Sequence, residues 1–289
     1  MEIRTLKYFL SIAKEESISR AAKSLHITQP TLSRQLKDLE ISLGKELIIR
    51  GKKKVTLTDE GKLFEKRAKE ILDLVEKSRS EILGGYTGGD IRIGCGETDG
   101  MRFIAKTVAG LQKEYPLIRV HLYSANAVDI MERLDKGLID FGVLVNPPNL
   151  ESHDFIKLPF VNICGLLMRK DSPLSSFQSI KPKDIPGIRL MTSRNETTMR
   201  SLSRWAGDYF ESFNIVATYN LILNAALMVE EGVGYAYCLD RLIHIPEDSA
   251  LCFRPLKPRV EAEVSFVWKR DQVFSEASKK FLNLLRAGV

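Results

Sequence analysis

Hydrophobic and polar positions follow a helical period through the first fifth of the chain. Apolar side chains recur at spacings of three and four over residues 2–16, which predicts an amphipathic helix. Ser17 is typical of a helix start and predicts a second helix over 18–25. Thr28 in turn predicts a third helix, which ends near Gly44. One side of that helix is leucine-rich and forms its predicted buried face, which comprises Leu32, Leu36, Leu39 and Leu43.

The pattern then changes to two short apolar runs, 47–49 and 55–57, on either side of a basic tip. This arrangement predicts a hairpin, or wing, with Thr58 as the cap of a long helix over about 59–83. Within that helix, apolar positions alternate at spacings of four and three, a period typical of a helix that packs along a partner helix. The predicted dimerisation residues are Phe64, Ala68, Ile71, Val75 and Ile82. The alternative is a helix that lies on its own domain.

Residues 84–89 contain four glycines, which predicts a flexible joint and a domain boundary. Strand-like and helix-like segments alternate beyond it, a pattern typical of parallel α/β structure. The predicted strands are 91–96, 118–124, 139–145, 160–169, 188–193, 216–220, 234–239, 251–256 and 260–269. The predicted helices are 100–114, 127–136, 196–212, 221–231 and 274–286. Two such alternating sets predict two lobes with a cleft between them.

These patterns divide the chain into three parts. Residues 1–58 are predicted to form one domain, and residues 59–89 the long helix and the joint. Residues 90–289 are predicted to form the α/β domain, whose first lobe comprises about 90–160 and 268–289 and whose second lobe comprises about 161–267.

Charge is distributed unevenly along the 289 residues, whose formal net charge is +6. Residues 1–58 contain twelve basic and six acidic side chains, so the remainder of the chain is neutral. An excess of positive charge in one small domain is the expected footprint of phosphate binding. No stretch of about 18 apolar residues and no secretory signal is found, which predicts a cytoplasmic protein without a membrane partner.

The predicted exposed face of the third helix carries Pro30, Ser33, Arg34 and Lys37, with Gln29 beside its start. Glutamine pairs with adenine edges, arginine with guanine or phosphate, and serine with either. A helix of this diameter fits the major groove, and the preceding helix would cross the backbone. The sequence therefore predicts binding to double-stranded DNA. The alternative is an ordinary solvated helix in a three-helix bundle.

The same region resembles the signature of LysR-type transcriptional regulators. The matching residues are Ser17, Ala21, Ala22, Leu25, 28–36, Leu39, Glu40, Leu43, Gly44, Leu47, Arg50, Leu57, Thr58 and Gly61. The resemblance implies an α/β protein overall, with an N-terminal winged helix-turn-helix and a dimerising linker helix. It also implies a two-lobed C-terminal domain that resembles type 2 periplasmic binding proteins and holds an effector between its lobes.

The resemblance further implies the partners and the DNA-binding residues. Expected partners are promoter or operator DNA, a small-molecule effector of unknown identity, further copies of the chain in a homodimer or homotetramer and, for an activator, RNA polymerase. The implied location is the bacterial nucleoid. The implied DNA contacts are Thr28, Gln29, Pro30, Thr31, Ser33, Arg34 and Lys37 on the recognition helix, Arg50 as a phosphate clamp, and Lys52, Lys53 and Lys54 at the wing tip.

Effector contacts are predicted from the geometry of open α/β sheets, where ligands lie beyond the carboxyl ends of strands and often at helix N-termini. This rule selects segments that follow predicted strands. The resulting candidates are Thr98, Ser124, Asn146, Thr192, Ser193 and Arg194. Their hydroxyl, amide and guanidinium groups suit a small polar or anionic effector. The alternative is that the neutral residues only cap helices and that Arg194 is simply exposed.

Three other functional classes make different demands on the sequence. A redox sensor would need a reactive thiol, but Cys95, Cys164 and Cys238 lie in apolar runs, and only Cys252 has a basic residue, Arg254, close by. A nucleoid protein without sequence preference would bind all DNA equally. An enzyme is disfavoured because the chain lacks nucleophile-elbow, phosphate-loop and metalloprotease motifs. The sequence therefore predicts no catalytic residues, no metal site and no cofactor.

Overall fold

The computed structural model describes residues 1–51, 54–83, 88–147 and 150–289. These residues divide into two compact units, Met1–Ser80 and Glu81–Val289. Lys52, Lys53 and residues 84–87 of the predicted joint lie outside the described residues. Gly88 and Gly89, also assigned to the joint, instead begin a strand.

The first unit begins with three helices. They are α1 (Ile3–Glu15), α2 (Ile18–Ser24) and α3 (Gln29–Leu43), and the strands β1 (Ile48–Arg50) and β2 (Val55–Leu57) follow as an antiparallel hairpin. The long helix α4 (Asp59–Leu83) comes next. The predicted helix starts are confirmed, because the side chains of Ser17 and Thr28 accept hydrogen bonds from the backbone N–H groups of Arg20 and Thr31.

Three helices and the hairpin enclose one apolar core. Its buried residues are Phe9, Ile12, Ala21, Ala22, Leu32, Leu36, Leu39, Leu47 and Ile48. Three of the four predicted leucines of α3 belong to this core, whereas the prediction for Leu43 is wrong: it is 42% exposed. Leu43 is the last residue of the helix, directly before Gly44, so it lies beyond the turns that the core covers.

The junction between the hairpin and α4 is fixed by side-chain hydrogen bonds. The Thr58 hydroxyl donates to the Glu46 carbonyl at 2.8 Å and accepts from the Gly61 N–H at 2.9 Å. A carboxylate oxygen of Glu40 accepts from the N–H groups of Leu47 at 2.8 Å and Ile48 at 3.3 Å. Together these bonds tie α3, the hairpin and the start of α4 into one body.

The first half of α4 packs on its own unit. The Phe64 ring lies edge-to-face on Phe9, with 5.0 Å between centroids, and Ala68 has no exposed surface. Ala68 is therefore already covered within the chain, whereas Phe64 is half-buried and packs partly on its own unit; a contact of either residue with a partner helix stays a prediction. Ile71 and Ile82, farther along, remain exposed, and Val75 is half-buried.

The second unit alternates strands and helices as predicted, and nine strands of its described residues form one sheet. The strands are β3 (Gly88–Cys95), β4 (Leu117–Ser124), β5 (Phe141–Val145), β6 (His153–Arg169), β7 (Arg189–Ser193), β8 (Asn214–Tyr219), β9 (Tyr235–Leu239), β10 (Leu251–Pro255) and β11 (Glu261–Lys269). The helices are α5 (Met101–Glu114), α6 (Ala127–Asp135), α7 (Glu196–Ala206), α8 (Ile222–Glu230) and α9 (Glu276–Gly288). The predicted helix over 196–212 ends early at Ala206, and a 3-10 segment, Gly207–Ser212, follows it.

The strand order is β4-β3-β5-β11-β6-β9-β7-β8, and β10 pairs with β6 outside this path. The long strand β6 belongs to both lobes: its first part pairs with β11, and its last part pairs with β9 and β10. Because β11 pairs with β5 and β6 from Glu261 onward, it belongs to the first lobe. The predicted start of the returning first-lobe segment at residue 268 is therefore too late.

Each lobe has its own apolar core. The first is centred on Phe141, Phe266 and Phe281, whose rings contact one another, and the second on residues such as Leu166, Leu190 and Leu202. Across the described ranges, no helix has the length and apolar character needed to cross a membrane.

Candidate functional site

The exposed side of α3 carries the polar residues selected from the sequence. Gln29, Pro30, Arg34 and Lys37 are exposed, and the Arg34 side chain is 84% accessible. Its nearest described counter-charge is Asp38, one turn along, at 4.0 Å. Ser33 is half-buried, so it lies at the edge of this face. The arrangement leaves amide and cationic groups free to reach a polyanion.

Thr28 and Thr31 have a structural role at the start of α3. The Thr28 hydroxyl accepts from the Thr31 N–H at 3.4 Å, and the two hydroxyl oxygens lie 2.8 Å apart. Both residues are exposed, so the cap also forms part of the outer surface at this end of the helix. Pro30 fits the first turn because its missing N–H costs no helical hydrogen bond there.

In the hairpin, Arg50 is exposed at the end of β1. Lys54 extends back toward α1, because its ammonium nitrogen lies 3.3 Å from a carboxylate oxygen of Glu16. The neighbouring Val55 N–H donates to the Glu16 carbonyl at 2.9 Å, which fixes β2 against the end of α1. Lys54 is therefore partly neutralised by Glu16.

A cleft between the two lobes is the candidate ligand site of the second unit. Its empty volume, including the open mouth, is about 860 Å³, within the range usual for small-molecule sites. Strand ends and helix starts of both lobes form its walls. The lining residues include Glu97, Asn126, Asn146, Cys164, Ser193, Asn195, Thr197, Thr198, Ser201, Tyr219, Asn220, Ile222, Tyr237 and Cys238.

Of the six predicted effector contacts, the cleft brings together Asn146 and Ser193. The Asn146 backbone has a positive φ of 42°, and its side-chain oxygen accepts from the Glu263 N–H at 2.8 Å. The Ser193 hydroxyl accepts from the Asn195 N–H at 3.2 Å. Each residue therefore shapes the cleft wall as well as lining it.

The other four candidates lie outside the described lining. The Thr98 hydroxyl is buried, donates to Asn162 at 3.0 Å and accepts from the Gly100 N–H at 3.1 Å, so it fixes the turn before α5. Thr192 is completely buried inside its sheet. Ser124 and Arg194 are exposed. The structure does not bring these four residues to the cleft wall, and neighbours in the same stretches, such as Glu97, Asn126 and Asn195, line it instead.

Glu97, which was not selected as a contact, is the neighbour of Thr98 that enters the cleft. Its carboxylate, from the first lobe, accepts from the Ile222 N–H of the second lobe at 2.6 Å. Leu221, at the N-cap of α8, provides no side-chain cap, so Glu97 fills this role from across the cleft. Burial raises the pKa of the Glu97 carboxyl, and the bond from Ile222 partly opposes the rise. The sequence therefore points to the correct stretch after β3, but to Thr98 and not to Glu97 within it.

Two tyrosines form part of the cleft floor. The Tyr219 hydroxyl donates to the backbone carbonyl of Tyr237. The Tyr237 hydroxyl is buried beside the Cys164 thiol and the Ser201 hydroxyl, and no hydrogen bond of good geometry to it is found among the described residues. Burial raises the pKa of both phenols, so both hydroxyls stay protonated at neutral pH.

The four thiols are free and buried. Burial raises the pKa of Cys95 to about 12 and also raises the pKa values of Cys164, Cys238 and Cys252. Only for Cys252 do positive groups, those of Arg254 and Lys170, oppose the rise. Because the thiolate is the reactive form, these sites disfavour the redox-sensor alternative.

Comparison with known proteins covers both units. Residues 84–289 match the family described as LysR substrate binding domain, and residues 3–62 match the bacterial regulatory helix-turn-helix proteins of the lysR family. The uncharacterized HTH-type transcriptional regulator YbhD of Escherichia coli (strain K12) is 27% identical over 98% of this chain and 90% of its own. The HTH-type transcriptional regulator BsdA of Bacillus subtilis (strain 168) is 36% identical over 67% of each chain.

Among solved structures, full-length CbnR in complex with its target DNA superimposes with a TM-score of 0.77. The alignment covers the whole of both chains at 22% sequence identity. At this level of identity the likeness establishes the fold of the two units and not their ligands.

Proposed function

The chain belongs to the LysR family of DNA-binding transcriptional regulators, and from that premise we propose that it reads a specific operator through the exposed face of α3. The observation that carries the proposal is the set of uncovered polar side chains on that face, Gln29, Arg34 and Lys37, in a unit that holds the chain's excess of positive charge. Arg34 reads a base edge, while Arg50 and the wing lysines neutralise phosphates.

The cleft of the second unit binds the small-molecule effector. Support comes from its volume, its mixture of amide, hydroxyl and apolar groups, and the contact between Glu97 and Ile222 that crosses it. An effector in the cleft contacts both lobes, so it favours one arrangement of the lobes over another by its differential affinity. That preference is the signal passed to the DNA-binding unit.

The regulator acts as a homodimer or homotetramer. Along α4, Ile71, Leu74 and Ile82 are 36%, 43% and 84% exposed, which supports a helix-to-helix contact between two copies. Exposed apolar side chains support assembly through the α/β unit as well, since Leu122 on the edge strand β4 and Leu223 on α8 are 60% and 64% exposed. Two half-sites of an inverted repeat then match two copies of α3.

We also propose where in the cell the protein works and how it functions there. The protein works on the nucleoid in the bacterial cytoplasm and, if it activates, contacts RNA polymerase. It functions through binding alone, without a cofactor, a metal ion or a catalytic step. The transcriptional-regulator identity of its relatives supports this reading.

A DNA-binding experiment tests the proposal. The full chain should shift DNA from the region upstream of its own gene in a gel at moderate salt and resist competition by unrelated DNA. Arg34→Ala should weaken specific binding by about 1–3 kcal/mol and relax the preference at one base position. Arg4→Ala is the matched control, because the Arg4 side chain is also exposed, at 66% against 84% for Arg34, but lies at the start of α1, paired with Glu2.

Two results would contradict the proposal. Equal competition by unrelated DNA would favour the nucleoid-protein alternative. Unchanged affinity and base preference in Arg34→Ala would show that α3 does not enter the groove as proposed.

A further inference from the structure

The charge of the cleft is unusual for a site expected to take an anion. Among the described lining residues, Glu97 alone carries a formal charge, and no lysine, arginine or histidine faces the cavity. Hydroxyl, amide and apolar groups make up the rest. A cationic ligand group would meet a counter-charge here, whereas an anionic group would meet no cationic side chain.

Glu97 is only partly satisfied by the protein. One carboxylate oxygen accepts the 2.6 Å bond from Ile222, and no bond to the other oxygen is found among the described residues. The side chain is half-buried, so water solvates it incompletely, and its pKa is raised for that reason. A donor from a ligand would supply what the surroundings lack, since bonds to charged groups are the stronger ones.

Two carboxylates act on the thiols of the cleft floor. Burial raises the pKa of the Cys238 thiol, and the carboxylates of Asp240 and Glu97 raise it further; Asp240 also acts on Cys164. Asp240 is held in place, because it accepts from the Ile163 N–H at 2.7 Å and pairs with Arg241 at 3.0 Å. The charged groups that change the pKa values of Cys164 and Cys238 are all negative.

A second, independent observation comes from Tyr237. Its side chain lines the cleft and is only 2% exposed, and its hydroxyl has the Cys164 thiol and the Ser201 hydroxyl beside it but no hydrogen bond of good geometry in the described part of the chain. A buried hydroxyl without a well-aligned partner costs free energy that a ligand group can recover. The phenol oxygen accepts hydrogen bonds, and aromatic rings attract cations, so the residue suits an ammonium group.

We propose that the cleft binds a small molecule with a protonated amine on an apolar body, and that the amine faces Glu97. This inference rests on the proposed function, in which the cleft is the effector site. Oxygen atoms elsewhere on the ligand meet the side-chain NH₂ groups of Asn195 and Asn220, whose amide oxygens already accept the N–H groups of Thr197 and Leu221.

The position of Glu97 links this ligand to lobe closure. Glu97 follows β3 in the first lobe, and the N–H that it accepts begins α8 in the second lobe. An ammonium group beside the carboxylate keeps it ionised, and an ionised acceptor strengthens the bond to Ile222. Ligand binding therefore favours the joined arrangement of the lobes.

Three probes with one alkyl chain and different head groups test the proposal: hexylamine, hexanoate and hexanol. Ligand-observed NMR and calorimetry on the full-length protein should show millimolar or tighter binding of hexylamine, about tenfold tighter than of hexanoate. Glu97→Gln should remove the preference, while its amide oxygen still accepts the Ile222 N–H and preserves the fold. Glu276→Gln, which removes an exposed acid from the first turn of α9, should leave the preference for hexylamine unchanged.

The outcomes separate the inference from the proposed function. The amine inference is overturned if hexanoate binds as tightly as hexylamine or if hexylamine shows no binding at millimolar concentration. It is also overturned if Glu97→Gln binds hexylamine like the wild type. The gel shift with the same preparations is an independent readout. If it still shows selective DNA binding, the amine inference alone has failed.

Discussion

At the scale of single residues, Gly61 is the most constrained position of the first unit. A Cβ atom there would lie 2.0 Å from the Leu47 carbonyl oxygen and 3.3 Å from the Leu57 Cβ atom. The N–H of the same residue donates to Thr58, so the backbone cannot shift away without losing that bond. The close approach explains why the motif from Leu57 to Gly61 needs a glycine at its end.

Gly61→Ala should therefore destabilise the first unit by several kcal/mol, because the clash is with backbone and not with a movable side chain. Thermal unfolding followed by circular dichroism measures the loss of stability, and a DNA-binding assay measures the accompanying loss of binding. Gly110→Ala is the matched control: it lies in α5 with its nearest neighbour, Leu284, at 3.5 Å, and should be neutral or slightly stabilising. A wild-type melting temperature for Gly61→Ala would show that the junction is looser than described.

The thiols lead to a prediction about pH and reactivity. Because the pKa of each cysteine is raised, the thiolate fraction at neutral pH is below that of an ordinary cysteine and grows only as the pH approaches the raised value. Native protein treated with iodoacetamide should be modified slowly, Cys252 first, and unfolded protein at all four sites. Mass spectrometry shows which thiols are modified in the native protein and which in the unfolded protein. Rapid native modification of any thiol, or a peroxide-dependent change in DNA binding, would restore the redox-sensor alternative.

At the scale of elements, α4 divides into two parts with different roles. The part containing Phe64 and Ala68 packs at least partly on its own unit, whereas Ile71, Leu74 and Ile82 stay exposed. A regular heptad pattern cannot distinguish these cases, since a helix that packs on its own domain and one that packs on a partner both need an apolar stripe.

Replacing Ile71 and Leu74 by aspartate should lower the assembled mass measured by sedimentation, because two unpaired charges would be placed in the contact between copies. Lys69→Asp is the control: it introduces the same acid on the opposite side of the helix, at an exposed position. An unchanged mass for the double variant would mean that the copies associate elsewhere. A reduced mass for Lys69→Asp would mean that helix charge alone drives dissociation.

The elements were predictable from the sequence because their signals are local. Ser17, Thr28 and Gly44 mark helix ends by their own chemistry, and strands and helices differ in hydrophobic period. The cleft contacts were less predictable, because a threonine that caps a turn and one that binds a ligand are chemically the same. The Glu97–Ile222 bond joins residues 125 positions apart, and no local pattern reports such a contact.

At the scale of the whole molecule, the excess charge of the first 58 residues predicts how DNA binding responds to salt. Replacing Lys52, Lys53 and Lys54 by alanine should weaken binding to all sequences alike and reduce the slope of log affinity against log salt by up to about three. Lys54 should contribute least, since Glu16 already partly neutralises it.

Binding titrations at several salt concentrations measure this slope. The control replaces three exposed lysines of the second unit, Lys106, Lys113 and Lys183, which removes the same net charge. If both triple variants changed the slope equally, the response would come from net charge and not from the wing.

The position of β11 has a consequence for the order in which the second unit folds. In the sheet, β11 lies between β5 and β6, yet it follows the entire second lobe in the chain. During synthesis the first lobe is left with two unpaired strand edges until that last strand emerges, whereas the second lobe can form from a continuous segment. We expect the inserted lobe to mature first, and the nascent first lobe to be the stage most exposed to aggregation.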